Sequence, residues 1–170
     1  MIPPKIRVLV VEDSLTARKH LVSVLNADPA LAVIGEAEDG KRAIELCRSL
    51  RPDVVTLDMM LPLLSGVAVT EYIMAYCPTP ILVVSSSVNR GELFKTYDAL
   101  AAGAVEVLDK PSGSEPDEAW ERRLVSMVKL VSLGNCPGVS GHPTAPLPGI
   151  VYTTDTPPAT TLRPGVLASG

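Results

Sequence analysis

Runs of Val, Ile and Leu recur at five places along the chain, at Ile6–Val11, Leu31–Ala37, Val54–Leu57, Ile81–Val84 and Ala104–Leu108. The first, third and fourth are apolar almost throughout, without the alternation of a strand that has one wet face. Strands of that kind are covered on both faces, and they belong to parallel sheets. Between them lie helical patterns. Ala43, Ile44, Cys47 and Leu50 keep a spacing of three and four behind Asp39, which is placed to cap a helix. Leu93, Phe94, Tyr97, Leu100 and Ala101 predict a second apolar stripe, closed by Gly103 in a left-handed conformation. Trp120, Leu124, Met127, Val128 and Val131 predict the inner side of a last helix from about Pro116 to Leu133. The alternation of strand and helix predicts an α/β fold, a doubly wound parallel sheet with helices on both faces.

Composition narrows the function classes. With 170 residues of which 46% are hydrophobic, the chain fills one ordinary core. A net charge of -4 argues against nucleic acid and anionic membranes as partners. No apolar run approaches the roughly 20 residues of a membrane span, and Met1–Arg7 does not read as a signal peptide. Cys47, Cys77 and Cys136 are too widely spaced for a zinc site or a disulfide framework, so a cytoplasmic protein with reduced thiols is expected. Seven Pro and six Gly fall within the 37 residues from Gly134 to Gly170. That composition predicts a linker or tail at 134–170 behind a domain at 1–133.

In a doubly wound sheet, ligands bind beyond the carboxyl ends of the strands. Those ends carry Glu12-Asp13, Asp58, Ser85-Ser86 and Asp109-Lys110-Pro111. Acids gathered at one edge repel unless a cation sits among them, and clustered carboxylates with room for water suit Mg²⁺. A carboxylate there can act as a nucleophile towards phosphorus. Lys110 and the Ser85 hydroxyl would offset charge on the phosphoryl oxygens.

The segments "VVEDS", "VVTLDMMLPLLSG", "PTPILVVSSS" and "AAGAVEVLDKP" together resemble the receiver domain of bacterial two-component response regulators, over about Ile6 to Leu133. That resemblance implies a flavodoxin-like five-stranded sheet in the order 2-1-3-4-5. It makes Asp58 the phosphorylated aspartate. Asp13, Asp58 and the Met60 backbone carbonyl become metal ligands, with Glu12 acting indirectly. Ser85 and Lys110 stabilise the phosphoryl group, and Pro111 follows through a cis bond. Ser85 is also a switch residue, paired with Val107 where the family usually has an aromatic ring. Val107 therefore puts aromatic gating in doubt, with Tyr97 as the substitute considered. Met60 replaces a common polar residue, and slow self-dephosphorylation is expected from it.

"PTPILVVSSS" followed by "YDALAAGAVEVLDKP" is more similar to the receiver of chemotaxis protein-glutamate methylesterases than to an average receiver. The resemblance implies a chemotaxis-type histidine kinase as phosphodonor, a following methylesterase domain, and chemoreceptors as its targets. The Gly-rich serine turn of that hydrolase is not found here, so a free-standing receiver with a tail stays open. Ser140 and His142 in "GVSGH" have no strand leading into them and read as linker. A small-molecule α/β enzyme is the competing class. A dinucleotide enzyme would need glycines where "VEDSLTARKH" has none. An aspartate-nucleophile phosphatase would place a second acid where Met60 stands. Read without the family, Glu12-Asp13-Ser14 can simply cap the first helix, and His20 is a groove histidine more readily than a ligand.

Overall fold

The computed structural model describes residues 2–86, 90–111, 113 and 117–134, with the side chains of 90–94 and 96 left aside. All of them lie within one compact unit, Met1–Ser140. The strands are β1 (Ile6–Val11), β2 (Leu31–Ala37), β3 (Val54–Leu57), β4 (Ile81–Ser85) and β5 (Glu106–Asp109). They alternate with helices α1 (Leu15–Ala27), α2 (Gly40–Leu50), α3 (Gly66–Tyr76), α4 (Arg90–Ala102) and α5 (Asp117–Ser132). The five strands form one parallel sheet in the order β2-β1-β3-β4-β5. The order reverses between β1 and β3, so their carboxyl ends border the crevice where such sheets bind ligands.

The continuous apolar character of the central strands has a direct structural reason. Successive side chains point to opposite faces, and both faces are covered. Val8, Val10, Leu82 and Val84 pack with Leu21, Leu25, Trp120, Leu124, Val128 and Val131, from α1 and α5. Leu9, Val11, Val55, Leu57 and Val83 pack on the other side with Ala43, Cys47, Ile73 and Ala99, from α2, α3 and α4. Neither strand face meets water, and neither carries a polar row.

Local caps match the expected ends. The Asp39 carboxylate accepts the Arg42 N–H at 2.8 Å and opens α2. Gly103, at φ +118, turns the chain out of α4 and sits against Met74. Strand β5 starts two residues later than expected, and β4 extends one residue further to include Ser85.

The expected stripe of α4 is corrected. Tyr97 and Leu100 are exposed, as is Ala101, whereas Ala99 is fully buried among the α2, α3 and α4 side of the core. The helix approaches α3 closely through a small residue, so its bulky residues at 97 and 100 are turned outward. Leu93 and Phe94 of that stripe lie outside the described side chains, and the Gly134–Gly170 segment beyond its first residue lies outside the described residues.

Candidate phosphoacceptor site

Four loops at the carboxyl edge carry the site. The β1 strand delivers Glu12 and Asp13. The Glu12 N–H bonds the Ala37 carbonyl at 3.0 Å, which continues the pairing of β1 with β2 one residue past the strand. Glu12 turns inward and is 1% exposed, while Asp13 faces solvent. Capping of α1 falls to Ser14, whose Oγ accepts the Ala17 N–H at 3.4 Å. That division leaves the Asp13 carboxylate outside the capping role.

Asp58 follows β3 directly, and its N–H bonds the Val11 carbonyl at 3.0 Å. Its Oδ1 accepts the Met60 N–H at 3.1 Å, which fixes the carboxylate relative to its own loop. Gly66 makes that loop possible. A Cβ at Gly66 would meet the Asp58 carbonyl and the Met59 backbone at 2.7 Å each, and the Met59 side chain closer still. Ser65 caps the helix that begins there by accepting the Ala68 N–H.

Ser85 ends β4 and Lys110 follows β5. The Lys110 N–H donates to the Ser85 carbonyl at 2.8 Å, so the two segments are stitched together at the site's edge. The Lys110 ammonium donates to Asp58 Oδ2 at 2.8 Å and lies 2.7 Å from Glu12 Oε2. The Trp120 indole N–H donates to the Asp109 carbonyl at 2.6 Å, anchoring α5 to the turn that presents Lys110. Ser85 Oγ is buried and has no partner among the described residues. An unpaired buried hydroxyl costs about 1–3 kcal/mol, and an incoming oxygen ligand would remove that cost.

Carboxylate oxygens of Glu12, Asp13 and Asp58 lie within 4.8 Å of one another. Burial raises the Glu12 carboxyl above its ordinary range and the nearby Asp58 charge adds to this, although Lys110 pulls it back. Burial works against the Lys110 charge, but hydrogen bonding and attraction from Asp58 and Glu12 outweigh it and raise its pKa. One cation thus offsets part of the charge of three acids. The remaining negative charge, the all-oxygen donor set and the exposure of Asp13 to water fit a hard divalent ion that keeps some of its waters.

The structure therefore brings Glu12, Asp13, Asp58 and Lys110 to one pocket and places Ser85 beside them. Met60 is 44% exposed at the pocket's rim, with its Sδ 3.2 Å from Lys95 Nζ. Val107 is half-buried, paired with Val83 and packed against the core. Tyr97 is 61% exposed and does not fill the space of an inward ring. His20 stacks on Trp120 with ring centroids 6.2 Å apart and lies 3.5 Å from Glu121. Both rings line a cavity of about 230 Å³ that reaches Glu12 and Lys110. Cys47 and Cys77 are buried and free.

One expectation is overturned. The described peptide bonds are all trans, including the one from Lys110 to Pro111. Trans is the ordinary state of an X–Pro bond by about 0.5–1 kcal/mol, and with this isomer Lys110 already spans to both acids. Two features escaped the sequence reading. Arg18 reaches back to the Glu12 carbonyl at 2.7 Å; its place one turn after the acidic pair was the available signal. The close approach at Gly66 had only the "LSG" triplet to announce it.

Residues 8–118 match the family model of the response regulator receiver domain. The chain is 48% identical over 129 residues to a protein-glutamate methylesterase/protein-glutamine glutaminase of Nitrosospira multiformis, covering 75% of this chain and 36% of that protein. It is 46% identical over 165 residues to a protein of the same description, number 4, from Myxococcus xanthus, covering 96% and 46%. The chain thus spans less than half the length of these relatives. Among solved structures, the response regulator domain of Thermotoga maritima CheB is similar with TM-score 0.68 and 35% identity, over 76% of this chain and 97% of that one. The signal receiver domain of NarL from Mycobacterium tuberculosis is similar with TM-score 0.67 and 30% identity, over 78% and 99%. No helix among the described residues is long and apolar enough to cross a membrane.

Proposed function

Since the chain belongs to the response regulator receiver domain family, we propose that Asp58 accepts a phosphoryl group and that this event changes the affinity of the domain for a partner. The observation that carries this reading is the convergence of Lys110 on Asp58 and Glu12 at 2.8 and 2.7 Å beside the buried Ser85 hydroxyl, which has no partner among the described residues.

Phosphoryl transfer asks a protein for positioning and charge neutralisation rather than covalent complexity. An Asp58 carboxylate oxygen attacks phosphorus, and a new P–O bond forms as the bond to the donor breaks. The donor atom leaves with the electron pair. The loop bond from Met60 N–H holds one Asp58 oxygen in place. Lys110 supplies a positive charge that moves from the bare carboxylate to the phosphoryl group. The Ser85 hydroxyl then donates to a phosphoryl oxygen, which satisfies the group that burial had left unpaired. A Mg²⁺ ion held by Asp13, Asp58 and the Met60 carbonyl, with Glu12 behind them, would neutralise the accumulating negative charge.

The donor is a histidine kinase of a chemotaxis-type system. The regulated partner is a methylesterase domain of the kind named for the curated relatives, acting on receptor glutamates. Residues 134–170 serve as the linker towards it. The phosphorylated domain shifts a population between two surfaces for that partner, with Ser85 and Val107 coupling the site to it.

Acetyl phosphate with Mg²⁺ provides the test. The 170-residue chain should gain one phosphoryl group by intact mass, and Asp58→Asn or removal of Mg²⁺ should abolish the gain. An unmodified parent chain under these conditions contradicts the reading.

A further inference from the structure

We infer that Arg18 is a positioning residue for the metal pocket, holding the acidic turn closed before any cation arrives. The inference rests on the phosphoacceptor reading, because it concerns binding of Mg²⁺ at that same site.

The problem Arg18 solves is electrostatic. Glu12, Asp13 and Asp58 bring three carboxylates within 4.8 Å, and two of them sit on one short turn between β1 and α1. Repulsion acts to splay that turn outward whenever the pocket lacks a divalent ion. Lys110 restrains Glu12 and Asp58 but has no contact with Asp13 among the described residues. Backbone pairing holds the turn only as far as the Glu12 N–H.

Inside the turn the Ser14 N–H donates to Glu12 Oε1 at 3.2 Å, and Arg18 adds the tie from the turn's carbonyls to the sheet. It stands one turn into α1, and its side chain is only 12% exposed. One guanidinium nitrogen, Nη1, donates to the Glu12 carbonyl at 2.7 Å and approaches the Asp13 carbonyl at 3.5 Å. Nε donates to Glu36 Oε2 at 3.3 Å. Glu36 belongs to β2 and pairs in register with Val10 of β1, so the far end of the clamp is fixed to the sheet. A planar fork that bonds two directions at once is a property of Arg and not of Lys. The guanidinium does not touch the carboxylates that would bind a metal. It grips the main chain that carries them, so it orients the ligands without competing as their counter-ion.

Lys19 provides an internal contrast. It contacts the same Glu36 at 3.1 Å, yet it is 62% exposed and makes no bond to the turn. If a shared salt bridge on Glu36 were the important element, the two residues would be equivalent. If the grip on the Glu12 and Asp13 carbonyls matters, only Arg18 affects the pocket.

The two possibilities also differ in sign. A positive charge acting on Mg²⁺ mainly through space would repel it, and its removal would tighten binding. A positioning residue has the opposite effect, because a splayed pocket must be gathered again at the expense of binding. Partners that orient metal ligands typically contribute 10–100-fold to affinity.

Calorimetric titration of the full chain with Mg²⁺ tests this, supported by the fluorescence of the single tryptophan, Trp120. Arg18→Met should weaken Mg²⁺ binding about tenfold, and Arg18→Lys should recover part of the loss. Lys19→Met should stay within about twofold of the parent, an unchanged site by the same scale. At saturating Mg²⁺, the rate of phosphorylation of Arg18→Met by acetyl phosphate should return close to the parent's, since Asp58, Lys110 and Ser85 are intact. Because Mg²⁺ stabilises any folded chain that binds it, a general packing defect is read separately, as a loss of circular dichroism or of the cooperative unfolding transition of Arg18→Met without the ion. Should Arg18→Met fail to fold, Glu36→Gln loosens the clamp from its other end and should weaken binding in the same direction. Equal or tighter Mg²⁺ binding in Arg18→Met or, where that fails to fold, in Glu36→Gln overturns the positioning role while leaving the phosphoacceptor reading intact. A parent chain that binds no Mg²⁺ overturns both.

Discussion

Lys110 donates to Asp58 at 2.8 Å across 52 residues of sequence, from the turn after β5 to the turn after β3. The same ammonium is 2.7 Å from Glu12, so one side chain bridges two acids that would otherwise repel. Removing one partner of a buried charge pair leaves the others uncompensated. Lys110→Met should therefore destabilise the fold by about 1–3 kcal/mol, less than the roughly 3–5 kcal/mol of a fully buried pair because Lys110 is 24% exposed. Saturating Mg²⁺ should recover part of that loss. Chemical denaturation of parent and variant with and without the ion checks both statements.

Met60 carries an apolar, half-exposed side chain two residues after Asp58, whose Oδ1 its own N–H bonds. A side chain of this kind offers no hydrogen bond to an attacking water. Met60→Asn should speed release of phosphate from the phosphorylated chain, by about three- to tenfold if one added hydrogen bond lowers the barrier by about 1 kcal/mol. A phosphate-release time course after removal of the donor provides the measurement. No acceleration would show that Met60 does not shield the acyl phosphate.

Gly66 allows α3 to start against the backbone of Asp58 and Met59. In Gly66→Ala the added methyl meets main chain rather than a yielding side chain, so the Asp58 loop must move. Overpacking of this kind costs about 1–3 kcal/mol, and the displaced Asp58 should also phosphorylate more slowly. Thermal unfolding together with the acetyl phosphate rate reads both effects.

Cys47 is fully buried between α2 and the sheet, and burial pushes its thiol up to about 11. Its unfolded reference is 9.0. Because the folded value is the higher one, the unfolded chain loses this proton first as pH rises. The contribution is intact below about pH 9 and is lost as pH rises through 11, amounting to about 3 kcal/mol for a shift of two units. Cys47→Ala should therefore show a shallower decline of stability than the parent between pH 8.5 and about 10.5, measured by urea denaturation. Parallel declines would contradict the assignment.

The strand ends were legible because Glu12, Asp58 and Ser85 follow directly on near-continuous apolar runs and Lys110 comes two residues after Leu108. Glu12, Asp58, Ser85 and Lys110 needed no more than the rule that parallel strands end at one edge. Contacts between side chain and main chain left fainter marks. The Arg18 bond to the Glu12 carbonyl depends on a rotamer, and the Gly66 approach depends on how a loop closes; neither is periodic. The α4 stripe misled because Tyr97 and Leu100 have helical spacing but the close approach of α3 and α4 selects Ala99 instead. The Lys110–Pro111 bond was expected cis from the family and is trans, with Lys110 in contact with both acids.

The central claim concerns which single carboxylate takes the phosphoryl group. An acyl phosphate is reduced by borohydride, which converts the modified aspartate to homoserine and can be located by tandem mass spectrometry. After treatment with acetyl phosphate and Mg²⁺, homoserine is expected at position 58, with Asp13 unreduced and no hydroxynorvaline, the reduction product of a glutamyl phosphate, at position 12. Homoserine at another aspartate, or hydroxynorvaline at Glu12, with residue 58 recovered as aspartate, would contradict the central claim.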